Sequence, residues 1–275
     1  MNSTGDHRIP SRADIRVLCI SLFSLCAAGS AHAAISHAPR SRSPATSAHA
    51  PAATVIRSTG EIQADVDSFR ALLGGPNNGA ALGQQPAGRR EINWDGVPAA
   101  LTNVPTFPND FFNVSSPRGL IYEPTGPGLE VSDHSFVDLG AQYAGEFLAF
   151  SGTKLFSPVG TNDVVVRFAV AGSDTKAAVR GIGAVFSDVD KPDKTAIELL
   201  GVNGEILGHF TAPARSDRRG LSFLGIVFRN PVIRTVHVIA GDGNLGNGSI
   251  DVSQGGLHDL VAMDDFIYGE PNAIQ

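Results

Sequence analysis

The feature that most constrains this chain is a two-residue hydrophobic period that recurs in short, evenly spaced segments. In Asp163–Val170, Val164, Val166, Phe168 and Val170 share one face, while Val165, Arg167 and Ala169 share the other. Successive strand side chains point to opposite faces, so this pattern suits a half-buried β-strand and no helix. Glu146–Phe150, Val179–Val189, Thr195–Val202, Glu205–Thr211, Val232–Ile239 and Leu260–Tyr268 also have strand length and composition, with turn-forming residues between them. Leu221–Phe228 (LSFLGIVF) is apolar on both faces and is expected at the centre of a sheet. Asn203-Gly204 is a hairpin signal joining Thr195–Val202 to Glu205–Thr211. Together these segments predict an all-β fold, an antiparallel β-sandwich with jelly-roll connectivity.

One short N-terminal helix is expected. Ser58 and Glu61 have capping-box spacing, Ile62, Val66, Phe69 and Leu73 form one stripe, and Gly74-Gly75-Pro76 ends it. Residues 77–127 are dense in Pro, Asn and Gly with aromatics between, and predict short strands and ordered loops packed by Trp94, Phe107, Phe111 and Phe112. The sandwich domain is expected over 58–270, with 271–275 as a tail. Residues 34–57, rich in Ala, Ser, Pro, Arg and His without apolar periodicity, are expected to be a disordered linker.

The first 33 residues predict an export signal. Arg8, Arg12 and Arg16 precede the uncharged apolar stretch Val17–Ala28, and Ala31-His32-Ala33 places cleavage after Ala33. Twelve helical residues span roughly 18 Å, short of the ~20 residues needed to cross a bilayer core. Both cysteines, Cys19 and Cys26, fall inside this segment. The expected mature chain therefore has no disulfide, zinc-thiolate or cysteine nucleophile, and its stability rests on its core. Losing three Arg and two Asp moves the formal charge from −6 to −7. A mildly acidic chain without a basic run is a poor partner for nucleic acid. No later stretch is apolar enough for membrane insertion. The expectation is a soluble, secreted or extracytoplasmic protein.

GRREINWDGVP, FPNDFFNVSSPRG, AVFSDVD, TAIELLGVNGEILGHFTAPA, LSFLGIVF and VAMDDFIYG together resemble bacterial secreted β-sandwich proteins, similar in style to ectodomains carrying PEP-CTERM-type sorting tails. The resemblance covers most of Phe69–Gly269. It implies a lectin-like sandwich and an extracellular or surface location, and brings no defined activity. The sequence ends EPNAIQ, without the sorting tail of such proteins, which makes release the expectation.

Two acidic sets are candidate metal ligands. Asp188, Asp190 and Asp193 alternate where a strand enters a loop, a pattern that can converge on Ca²⁺ or form a solvated polar turn. Asp264 and Asp265 are adjacent in the last strand, so one carboxylate is expected to point inward or sit at a rim, and if buried to need a cation or several donors. In lectin-like sandwiches an acid on the final strand helps hold a structural Ca²⁺, which the resemblance carries to Asp264 or Asp265, with Glu146 or Asp95 as partners. The alternative is a salt bridge to Arg89, Arg90 or Arg118. Gly241–Ser249 (GDGNLGNGS) is a loop, either flexible or a rim for ligand.

For ligand binding, Trp94 and Tyr122, with Asn93 and Asp95, are candidates for a glycan site, and Tyr143, Phe111 and Phe112 lie in the same reach of sequence. For Trp94 a place in the core is an equal alternative, and for the phenylalanines it is the favoured one. Catalytic signatures are thin. GxSxG is absent, Ser151 and Lys154 match SxxK without its companion motifs, and His134, His209, His237 and His258 define no triad. Glu91, Asp95, Asp110 and Glu123 are the acids a glycosidase would draw on. The expected function is a non-catalytic module that binds an extracellular surface or matrix component such as a glycan, with a structural calcium ion. A secreted hydrolase of polysaccharides or esters and a purely structural envelope protein are the alternatives.

Overall fold

The alternating segments do become strands, and the computed structural model describes them within residues 51–246 and 248–274. The expected export signal and residues 34–50 of the expected linker lie outside the described residues. In chain order the elements are β1 (Ala53–Thr59), α1 (Gln63–Leu73), β2 (Arg89–Ile92), α2 (Phe111–Val114), β3 (Leu120–Pro124), β4 (Gly128–Ser132), β5 (Leu155–Val159), β6 (Asp163–Phe168) and β7 (Ala177–Ala178). There follow β8 (Gly181–Ser187), β9 (Ala196–Leu200), β10 (Ile206–Thr211), β11 (Leu221–Phe228), β12 (Thr235–Ile239), β13 (Ala262–Gly269) and β14 (Asn272–Ala273).

All strand ladders are antiparallel. A seven-stranded sheet runs β1-β11-β8-β13-β5-β4, with β2 also paired to β13, and a five-stranded sheet runs β10-β9-β12-β6-β3. Their facing residues form one core: Val164, Val166, Phe168, Val236 and Val238 from the smaller sheet meet Phe186, Leu224, Ile226, Met263 and Phe266 from the larger. This is an antiparallel sandwich, as expected; these strand orders do not by themselves establish a jelly roll.

The two sheets differ in how much they bury. On β6 and β12 every second residue is buried, so the outer face of the five-stranded sheet meets solvent. On β8 and β13 every residue is buried, and β11 is buried from Ser222 onward. The outer face of the large sheet therefore has its own cover. Helix α1 lays Ile62, Val66, Phe69 and Leu73 on Val185, Phe223, Val227 and Ile267. Beside it, the excursion between β4 and β5 lays Phe136, Tyr143 and Phe147 on Leu155, Leu260 and Ala262.

Four boundaries differ from expectation. Residues 53–57, expected as linker, form β1, whose Ala53–Thr59 pairs with Ser222–Phe228 and so completes the edge of β11. Ser58 belongs to that strand, and α1 starts after Ile62 without a side-chain cap. Residues 146–150 are not a strand: Glu146 N–H donates to Tyr143 O (3.0 Å) in a turn, Leu148 to Ser187 Oγ (2.8 Å) and Phe150 to Asp264 Oδ2 (2.6 Å). The expected tail contains β14, paired with β7. Asn203-Gly204 does join β9 to β10, but Gly201 N–H donates to Glu205 O (2.8 Å), which closes a wider turn than a two-residue hairpin.

Helix α1 docks closely because Gly225 and Gly183 face each other across β11 and β8. A Cβ on Gly225 would lie 2.6 Å from the Phe69 ring, and one on Gly183 would lie 2.8 Å from it. Gly225→Ala is therefore expected to lower stability by about 1–3 kcal/mol through overpacking. Phe69→Ala is expected to lower it by about 3–5 kcal/mol through the cavity it leaves. Urea denaturation reads both, and an unchanged midpoint for Gly225→Ala would show that the helix does not depend on this contact.

Candidate metal centre

Five carboxylates from three stretches of chain converge beside the end of β8. One oxygen from each of Glu146, Asp188 and Asp251 lies within 4.8 Å of the others, and the same holds for Asp190, Asp251 and Asp259. Glu146, Asp188, Asp251 and Asp259 are each at most 1% exposed.

Backbone geometry puts each acid in place. Asp188 leaves β8 with φ +71°, a conformation uncommon for a residue other than glycine. Its N–H donates to Gly220 O (2.8 Å), and its Oδ1 accepts from Arg219 N–H (2.7 Å). Asp259, just ahead of β13, accepts from Asp190 N–H (3.1 Å) and Lys191 N–H (3.0 Å). Asp251 caps the short 3₁₀ turn Val252–Gln254, accepting from Ser253 N–H (2.6 Å), and its other oxygen accepts from Leu260 N–H (2.7 Å). Glu146 comes from the excursion over the large sheet and accepts from Ser253 Oγ (2.7 Å), Arg218 Nε (2.8 Å) and the Gln254 amide.

These partners are too few for five carboxylates, four of them buried and Asp190 half-buried. Asp188 Oδ2 and Asp190 Oδ1 have neither a hydrogen-bond partner nor access to solvent. Burial, then the neighbouring acids, push the Asp188 and Asp190 carboxyls well above the usual range, and burial lifts Asp259 to about 6. Arg218 reaches Glu146 alone. Lys191 Nζ turns away to Asp242 (3.1 Å) and Leu257 O (2.6 Å). A set of buried acids is stabilised by protons or by a cation, and the cluster is built so that it could hold a metal ion.

Of the expected metal residues, Asp188 and Asp190 join this centre. Asp193, exposed in the turn beyond them, does not. Asp264 and Asp265 form a separate structure. Between Met263 and Phe266 the register with β8 shifts, so that both aspartates stand opposite Val185 alone, a β-bulge. The bulge defeats the alternation argument, and both carboxylates reach the same loop. Asp264 Oδ2 accepts from Phe150 and Ser151 N–H (2.6 and 3.0 Å), while Asp265 Oδ1 accepts from Ser151 Oγ (2.5 Å) and Oδ2 pairs with Arg70 (3.4 Å). They anchor chain segments and belong to neither three-acid group. Of the arginines considered for a salt bridge, Arg90 instead pairs with Glu270 (2.6 Å), and Arg70 of α1 takes the role beside Asp265.

The ligand-binding aromatics are core. Trp94, with φ +67°, is 1% exposed, stacks on Phe156 at 4.2 Å and donates its indole N–H to Asp264 O (3.1 Å). Tyr122 is fully buried and Tyr143 is 1% exposed. No ring face of these three is open to a sugar. Asn93 is exposed, and Asp95 accepts from Thr153 N–H (2.9 Å). Of the other acids imagined for hydrolysis, Glu91 is paired with Arg70 and Arg89 and Glu123 with Arg167, while Asp110 is exposed and makes no side-chain cap at the start of α2. Lys154 Nζ donates to Val97 O (2.6 Å). Ser132 Oγ lies 3.0 Å from His134 Nδ1, but Ser132 is fully buried and its hydroxyl also accepts the Phe136 N–H (2.9 Å), which makes it a turn-forming contact.

Sequence reasoning missed Asp251 and Asp259 as ligands because they are isolated acids in a loop, with no pattern until β13 brings them beside β8. It also missed Glu130 on β4, which is fully buried with both oxygens unpartnered. Burial, then Asp138, raise its carboxyl from 4.5 to about 8. Asp138 in turn faces His134 at 3.6 Å. Below pH ~4.5 folded and unfolded chains both hold the Glu130 proton. From there to about 8 only the folded chain keeps it, so stability falls with rising pH by up to ~1.4 kcal/mol per unit. Glu130→Gln is expected to exceed the unsubstituted protein in stability at pH 8, with the difference closing toward pH 4. Denaturation midpoints at pH 4, 6 and 8 check this, and parallel pH profiles would refute it.

Comparison with protein-family models, with curated proteins and with solved structures finds no match, so the function is read from the site's own chemistry.

Proposed function

We propose that this is a secreted, non-catalytic β-sandwich module stabilised by calcium at Glu146, Asp188, Asp190, Asp251 and Asp259, and that it binds or builds an extracellular surface or matrix. The observation that carries the metal reading is Asp188 Oδ2, buried without a donor among converging acids. The donors are all carboxylate oxygens, with no His in either group, which favours a hard cation over zinc or copper. Calcium suits such a site because it accepts six to eight oxygens in irregular geometry, whereas magnesium demands a near-ideal octahedron.

The ion's role follows from the segments it would tie together. Glu146 belongs to the cover of the large sheet, Asp188 and Asp190 to the exit of β8, and Asp251 and Asp259 to the approach to β13. A chain with no disulfide after its export segment gains a cross-link between distant segments from such an ion. The non-catalytic part is supported by the ion pairs that hold Glu91 and Glu123 and by the backbone bond that holds Asp95. A glycan partner would have to be met through exposed polar groups such as Asn93, since the rings of Trp94 and Tyr122 are covered.

Calcium is expected to raise the melting temperature of chelator-stripped protein, because a ligand bound only by the folded state adds about 2.7 kcal/mol at one hundred times its Kd. Asp188→Asn should weaken that calcium response. Identical melting curves in EGTA and in millimolar calcium would overturn the proposal.

A further inference from the structure

We infer that the centre is binuclear, with two divalent cations bridged by the Asp251 carboxylate. This rests on the metal reading above and extends it from one ion to two. The two groups of converging oxygens, Glu146–Asp188–Asp251 and Asp190–Asp251–Asp259, have Asp251 alone in common. The residues with unpartnered oxygens divide between them: Asp188, with its Oδ2, is in the first group and Asp190, with its Oδ1, is in the second. One ion placed in either group leaves the other group's buried oxygen without a positive partner.

Asp251 has the stereochemistry of a bridge. Its Oδ2 accepts from Ser253 N–H and its Oδ1 from Leu260 N–H. Each carboxylate oxygen has a second lone pair, so one oxygen can serve each ion while the backbone donors hold the group's orientation. A carboxylate used this way sets ions about 3.5–4 Å apart, the usual spacing of two-metal sites.

Charge gives the same count. Five ionised carboxylates carry five negative charges, and Arg218 on Glu146 is the one cationic side chain paired with them among the described residues. Lys191 is balanced by Asp242. Four negative charges remain, which two divalent ions neutralise and one does not. Burying an uncompensated charge is costly enough that a half-filled centre would keep protons on its remaining acids. Asp188 adjoins the groove lined by Gly60–Gln63, Leu148–Phe150, Arg215, Asp217 and Arg219–Leu221, since it accepts from Arg219 N–H (2.7 Å) and donates to Gly220 O (2.8 Å), but none of the five acids is among the groove's lining residues. The ions are assigned to holding loops together, because their ligands come from three separate stretches of chain.

The test is a count. Chelator-stripped full-length secreted protein is titrated with calcium chloride by calorimetry, and bound ions are counted by native mass spectrometry. Two ions per chain are expected. Asp251→Asn should lose both sites, whereas Asp188→Asn and Asp259→Asn should each keep one. A count of one in the unsubstituted protein overturns the binuclear centre and leaves the metal reading standing, and a count of zero overturns both. Two ions that persist in Asp251→Asn would overturn the bridge. Should Asp251→Asn not fold, the unsubstituted count and the Asp188→Asn and Asp259→Asn pair decide the matter alone, since a single shared site predicts loss of the ion in both.

Discussion

The rest of the structure depends on the burial of the seven-stranded sheet on both faces. Strands β8 and β13 have no wet side, so the chain must supply two covers, the five-stranded sheet within and α1 with the 133–150 excursion outside. Antiparallel sheets commonly leave one face to solvent, and the five-stranded sheet does so. The larger sheet departs from that rule, and each departure from a simple sandwich answers to it. Phe69 needs the Gly183–Gly225 pair beneath it. Ser187 and Asp264 hold the excursion by its backbone, and Glu130 is trapped beneath this cover without a donor.

The same burial explains why acidic side chains carry so much of the architecture. A covering layer made of loop exposes backbone N–H groups that no neighbouring strand can accept. Carboxylates do it instead: Asp264 for residues 150 and 151, Asp259 for 190 and 191, Asp251 for 253 and 260, and Asp188 for 219. Charge-assisted bonds of this kind are stronger than neutral ones. They also gather negative charge in a low-dielectric place. At Asp264 and Asp265 the charge is met in part, by Arg70 beside Asp265 and by the Phe150 and Ser151 donors, while Asp264 Oδ1 stays buried without a partner. Around Asp251 the donors run short, and the metal reading begins there.

Much of the fold was legible along the chain, and less of the site. The stripe Ile62, Val66, Phe69 and Leu73 is the buried face of α1, because helix periodicity depends only on local geometry. The doubly apolar segment 221–228 is an interior strand for the same reason. Asp188 and Asp190 could be picked out because they alternate within one segment. Asp251 and Asp259 could not, since their meeting with Glu146 depends on the return of the chain alongside β8. Trp94 was ambiguous for a related reason: its polar neighbours Asn93 and Asp95 suggested a surface, yet a left-handed backbone turns the indole onto Phe156.

What the sequence by itself determined is the class of structure: antiparallel strands, one helix, and no cysteine after the expected export segment to cross-link them. These follow from residue type and spacing, which act over a few positions. Only the tertiary structure decided which acids meet, which aromatics lose their water, and that a bulge would turn Asp264 and Asp265 toward one loop. Those outcomes depend on register between strands far apart in sequence, where one extra residue reverses the facing of every side chain beyond it.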